Sequence, residues 1–216
     1  MTSLMTQTSW WRVVKSGAGV AMMLAAGCGG PGSPQTQRET QSPIQAQASK
    51  VTEKSFVSGG KIDMQLDGGT YTVRPADGNA IRVTLSGNVG AAKVDVTPQN
   101  TEANLSVKET PRNDFQATIE VPQAADLVIR LAAGNLKVEA IIGNKDIESN
   151  AGNVDIVTGD SKDYASVDAS VRAGDIKADS FGESQSGLFR NLTWTGKGKY
   201  TLRVKLIAGN LRQRSK

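Results

Sequence analysis

Side chains able to do covalent or acid–base chemistry are sparse in this chain. Its 216 residues include no histidine and a single cysteine, Cys28. Those two facts exclude a Ser-His-Asp triad, a Cys-His pair, a zinc site built on His or Cys, and an internal disulfide. Carboxylates and amines remain: Asp146, Asp155, Asp168, Asp175 and Asp179, with Lys137, Arg172 and Lys177 near them in sequence. Carbohydrate-cleaving β-proteins use acids clustered on one solvent face, and a glycosidase needs two carboxyls about 5–10 Å apart. Charges alternating outward along strands also solvate a sheet face and discourage edge pairing. The second reading is preferred, so no catalytic residue is assigned and the chain is read as a non-enzyme. Phe189, Trp194 and Tyr200 suggest either a platform for a sugar ring or, preferably, an aromatic cap on the end of the fold. Arg212, Arg214 and Lys216 read as a solvated tail with anionic lipid as the alternative partner.

The elements that must position these side chains are strands. From Val51 onward apolar and polar residues alternate in short runs, such as Ile62-Met64-Leu66, Ile81-Val83-Leu85 and Ala117-Ile119-Val121, each ended by Gly, Pro, Asn or Asp. That is an all-β signal. The centre of the pattern is Ala133 to Gly159, which repeats every nine residues and places Gly134-Asn135, Gly143-Asn144 and Gly152-Asn153 in register. Glycine and asparagine tolerate positive φ, so each pair reads as a backbone corner. Gly174-Asp175 and Gly209-Asn210 repeat the corner, and the spacings suggest coils of about 20 residues that bury their apolar columns on one another. The stretch from Phe181 to Lys199 departs from the repeat. Calcium-binding nonapeptides also have a nine-residue period, but Val138, Ile147 and Ile156 stand where those turns need aspartate. No metal and no cofactor are expected.

The first 27 residues read as an export signal, with Arg12 and Lys15 before an apolar run from Ser16 to Ala26 that is too short to span a bilayer. Without those two basic residues the net charge falls from +4 to +2, which gives no basis for nucleic-acid binding. The run ends Leu24-Ala25-Ala26-Gly27-Cys28, which resembles the bacterial lipobox. That resemblance implies cleavage between Gly27 and Cys28 and lipidation of Cys28 with thioether-linked diacylglycerol and an N-acyl chain such as palmitate. Gly29 after the cysteine resembles the default for the outer membrane of a Gram-negative envelope, on its periplasmic or surface face. Residues 28–50, rich in Gln, Ser, Pro and Gly, are expected to form a flexible, disordered tether reaching about 25 Å.

A family resemblance covers residues 51–216. Val121-Pro122, then Asp126 to Arg130, then the corners Gly134 to Leu136, Gly152 to Val154, Gly174 to Ile176 and Gly209 to Leu211 resemble the bacterial putative-adhesin domain of unknown function. The resemblance implies a parallel β-solenoid, β-helix-like, made of β-strand repeats with Gly-Asn/Asp corners. It also implies an adhesin-like binding role toward a cell-surface, glycan or envelope-protein ligand. The full expectation is a lipid-anchored envelope protein: signal peptide 1–27, lipidated cysteine and tether 28–50, and a non-catalytic solenoid domain 51–216. The alternatives are a structural or regulatory lipoprotein that binds a protein partner, and a carbohydrate-active enzyme on a β-helix.

Overall fold

The structure is a computed structural model that describes residues 50–216. The signal peptide, the Gly27–Cys28 cleavage site, the lipidation site and nearly all of the tether lie outside the described residues.

The described chain is almost entirely strand. In chain order the strands are β1 (Lys50–Ser55), β2 (Lys61–Leu66), β3 (Gly69–Pro75), β4 (Ala80–Gly87), β5 (Lys93–Gln99), β6 (Glu102–Lys108), β7 (Phe115–Val121) and β8 (Asp126–Leu131). There follow β9 (Gly134–Val138), β10 (Lys145–Ala151), β11 (Val154–Thr158), β12 (Tyr164–Ala178), β13 (Glu183–Thr195), β14 (Tyr200–Ala208) and β15 (Leu211–Ser215). Two single-turn 3-10 segments, Ser161–Asp163 and Asp179–Phe181, flank β12.

Most strands come as pairs joined by a tight corner, so each pair contributes one strand to each of two facing walls. The first wall runs β5-β6-β2-β8-β10-β14-β12, and the second runs β1-β4-β7-β3-β9-β11-β15-β12. The walls meet in β12, whose first part pairs with β14 and whose last residues pair with β15. At the other end β1 and β5 lie against each other, so the sheet closes almost completely on itself. The alternation seen in the sequence becomes the core: Met64, Ile129, Ile147, Val204 and Ala169 form one buried row, and Val73, Val138 and Ile156 face them from the second wall.

This architecture corrects the expected parallel β-solenoid. The sheet is mixed and wraps into a flattened, nearly closed barrel. β1–β4, β4–β7, β5–β6 and β12–β13 pair antiparallel, while the central neighbours pair parallel. In a solenoid successive coils stack in chain order. Here the last pair, β14–β15, slots between β10–β11 and β12, and β2–β3 slots between β6–β7 and β8–β9. The nine-residue block also divides between the walls. Val138 and Ile156 are register partners on the second wall, while Ile147 belongs to the first. The anomalous stretch after Phe181 is mostly β13, an antiparallel partner of β12 along its length. The cause is that corner and alternation fix local geometry only. Backbone hydrogen bonds between rungs carry no information about which rung is the neighbour, so apolar fit and loop lengths choose the order.

Candidate functional site

The Gly-Asn corners line up along one seam of the barrel. Gly69 and Gly134 are register partners, and Gly152, Gly209 and Gly174 continue the seam rung by rung. At Gly134 (φ +124°) an added β-carbon would overlap the carbonyl of Gly69, and at Gly152 (φ +116°) it would overlap that of Gly134. Both φ values favour glycine, and the backbone of the next rung fills the space where a side chain would go. Gly143 lies on a different corner, beside the carbonyl of Ala125.

The residue after each seam glycine points outward on the second wall. Asn135, Asn153 and Asn210 form an amide ladder: Asn153 Nδ2 donates to Asn135 Oδ1 at 3.1 Å, and Asn210 Nδ2 donates to Asn153 Oδ1 at 3.0 Å. The backbone N–H of Asp175 donates to Asn210 Oδ1 at 3.2 Å and ends the ladder. Each rung carries one such bond along the ladder, which leaves the central amide a second N–H and acceptor capacity. Asn144, from the other corner, belongs to a separate set. Its backbone N–H and its amide donate to Asp126 at 2.8 and 3.0 Å, and its Oδ1 accepts from the backbone of Thr201 at 2.9 Å.

Beside the ladder runs a second outward row, Thr72, Lys137, Asp155 and Arg212. Between the rows lies a furrow of about 510 Å³ that crosses β3, β9, β11 and β15, with Thr70 extending the ladder side. Three strand spacings make it about 14 Å long. Asp155 accepts from Arg214 at 3.0 Å, which fixes the carboxylate at the furrow edge. The sequence reading missed Thr70 and Thr72. The signal was present, because Gly69-Thr70-Tyr71 has the same pattern as Gly134-Asn135-Leu136.

The acids considered for catalysis do not gather in one place. Asp146 and Asp168 are on the first wall with Arg203 in register between them, in a depression of about 230 Å³. Asp155, Asp175 and Asp179 belong to the second-wall side of the corner. Among the described residues, no three metal-ligating side chains come together. Of the three aromatics read as a platform or cap, only Trp194 joins an aromatic cluster, with Phe181 4.9 Å from it and 6.1 Å from Tyr164 between ring centroids, and Tyr200 lies beside Tyr164 in register. Phe189 is not part of it.

One buried group was not anticipated. Lys145 occupies an inward position between Leu127 and Leu202 and is 1% exposed. Its ammonium donates to the carbonyls of Ile141 at 2.6 Å and Gly143 at 3.1 Å, and to the Tyr164 hydroxyl at 3.3 Å. Burial pulls its pKa down to about 8, against a smaller upward pull from Asp126. Burial also pushes the Tyr164 phenol up to about 12.

No protein-family model matches the chain, and no curated protein does. Solved structures do match. A "putative cell adhesion protein" from Clostridium sporogenes is 13% identical, with a TM-score of 0.50 over 78% of this chain and 100% of that one. A "putative adhesin" from Bacteroides fragilis is 12% identical with a TM-score of 0.28, over 77% of this chain and 97% of that one. Another, from Parabacteroides merdae, is 12% identical with a TM-score of 0.27, over 51% and 58%. The likeness to the clostridial protein is one of fold. It places the described domain in the same all-β architecture as that structure.

Proposed function

We propose that this protein is a non-catalytic binding module held at the bacterial cell envelope through a lipid on Cys28, and that its second wall takes an elongated, hydroxyl-rich ligand such as a glycan chain. The observation that carries the reading is the furrow between the asparagine ladder and the Thr72–Arg212 row. Amides and hydroxyls recur there at the strand spacing, each able to donate and accept, along about 14 Å of surface. Such a site suits a polymer that repeats its own hydroxyls and makes many modest bonds. The likeness to the clostridial "putative cell adhesion protein" supports the same reading. The membrane anchor follows from the lipobox resemblance.

The test is binding of the full chain to a panel of immobilised neutral oligosaccharides, beside Asn153→Leu, which removes the central amide of the ladder. Expected is saturable binding to at least one oligosaccharide, weakened roughly tenfold by the loss of the two or so hydrogen bonds at that rung. Binding to none of them, or equal binding by Asn153→Leu, would overturn the reading.

A further inference from the structure

The corner formed by β12, β13 and β14 carries an amphiphilic patch that neither the core nor the furrow uses. Leu206 pairs with Val171 and Ala208 with Ala173, so Ile207 stands opposite Arg172. Val171 pairs in turn with Arg190 and Ala173 with Leu188, so Arg172 stands opposite Phe189. Ile207, Arg172 and Phe189 therefore form one row across the corner, with Leu188 beside it. These side chains are strongly exposed: Phe189 74%, Leu188 64% and Ile207 49%.

Two features separate this patch from incidental exposed residues. Phe189 has φ +54°, a left-handed backbone that an aromatic residue rarely adopts. The chain thus accepts local strain and an exposed ring at one position, with no return in core packing. Arg172, next to the ring in register, is exposed and makes no ion pair among the described residues, whereas the half-buried Arg190 packs against Gly187. Carboxylates on the neighbouring elements lie off this row. Glu148 is engaged by Lys205 at 3.4 Å and Arg130 at 3.8 Å, Asp168 is further back along β12, Asp175 lies beyond the corner, and Glu183 is at the far end of β13.

We propose that this corner is a membrane-docking tip, in which Phe189, Leu188 and Ile207 enter the interfacial region of an anionic bilayer and Arg172 meets its lipid phosphates. Apolar side chains flanked by cations are the composition that binds such surfaces, the rings by burial and the guanidinium groups by charge. Arg172 selects a lipid surface over a second copy of this chain, because a two-fold contact centred on the patch would bring its guanidinium toward its own copy. The contact is independent of any lipid on Cys28, and it would orient the domain on the surface where an acyl anchor only tethers it.

The experiment uses the full-length chain carrying Cys28→Ser, so that no acyl group at that position contributes. Co-sedimentation is measured with phosphatidylglycerol–phosphatidylcholine vesicles and with pure phosphatidylcholine vesicles, for this protein and for the same protein with Leu188→Ser and Phe189→Ser. Expected is preferential binding to the anionic vesicles, weakened roughly tenfold or more by the double substitution through lost apolar burial. Arg172→Gln should narrow the anionic-over-neutral preference. Because all three side chains are exposed, the melting temperature should hold, which separates loss of docking from loss of fold. In a further variant, Phe189→Trp, bromine-labelled lipid should quench the new indole. Equal binding with and without the two substitutions, no preference for anionic vesicles, or a self-association in sedimentation that Phe189→Ser abolishes without vesicle binding would each overturn the proposal.

Discussion

Replacing Lys145 by methionine gives the sharpest test of the packing described above. The lysine is fully inside the first wall, and its pKa is about 8, whereas in the unfolded chain it is ordinary, near 10.5. Between those values the unfolded state holds a proton that the folded state has released. Unfolding therefore takes up a proton, and stability rises with pH across the window. Below about pH 8 both states are charged, and the folded protein bears the full cost of the buried ammonium. Each pH step inside the window adds about 1.4 kcal/mol, so stability gains about 2–3 kcal/mol from pH 8 to 10. The measurement is urea unfolding by circular dichroism at closely spaced pH values from 7 to 10 on the wild type and on Lys145→Met. Stopping at pH 10 avoids the opposing contribution of Tyr164, whose raised phenol pKa removes stability once unfolded tyrosines ionise. Subtracting the two curves cancels the groups that Lys145 does not touch. The difference should climb through the window, while the variant alone stays nearly flat there. At pH 7 the variant's net change is small, because removing the buried charge is offset by leaving the Ile141 and Gly143 carbonyls without their donor. Parallel curves for the two proteins would refute the argument that Lys145 is a desolvated cation in the core.

Two more perturbations test the fold itself. Gly152→Ala should cost at least about 3 kcal/mol, because it combines a positive φ with overlap on the Gly134 backbone; a melting temperature within a few degrees of wild type would contradict the seam. Ending the chain at Asn210 removes β15 from between β11 and β12 and should abolish cooperative unfolding, read by thermal denaturation, whereas a frayed terminal strand would leave the transition intact.

The local structure was legible in the sequence and the global order was not. Alternation identified the strands, because period two leaves a direct mark on residue type, and Gly134 and Gly152 have the positive φ that glycine tolerates. Lys145 was legible in principle: it shares parity with Ile147 and Ser149, so a strand that buries Ile147 must bury it too. Residue type argues the other way, because an unpaired buried charge is costly, and the three acceptors that offset that cost come from Ile141, Gly143 and the distant Tyr164. The nine-residue period misled in a different way. Gly134 and Gly152 do stack, but Gly143 between them serves another corner, so the repeat marks successive corners of one circuit and not successive rungs. Rung order leaves no mark on composition, because Val154 accepts Leu136 on one side and Leu211 on the other with the same apolar fit.

That interleaving ties the furrow to completion of the fold. Asn135 and Asn153 are 18 residues apart and meet early in the chain, but Asn153 and Asn210 are 57 apart and meet only when β14–β15 has entered the gap beside β10–β11. That insertion closes the long loop formed by β12 and β13, and its entropic cost is recovered only as both new edges pair. Until then β11 and β10 present open parallel edges, the condition under which strand proteins pair with the wrong partner. The third rung of the ladder, together with Arg212 on the opposite side of the furrow, therefore depends on the longest-range pairing in the site. A chain that stalls before this step keeps its seam glycines and half its ladder but lacks the complete furrow. The position of β15 between β11 and β12 makes the furrow a reporter of complete folding.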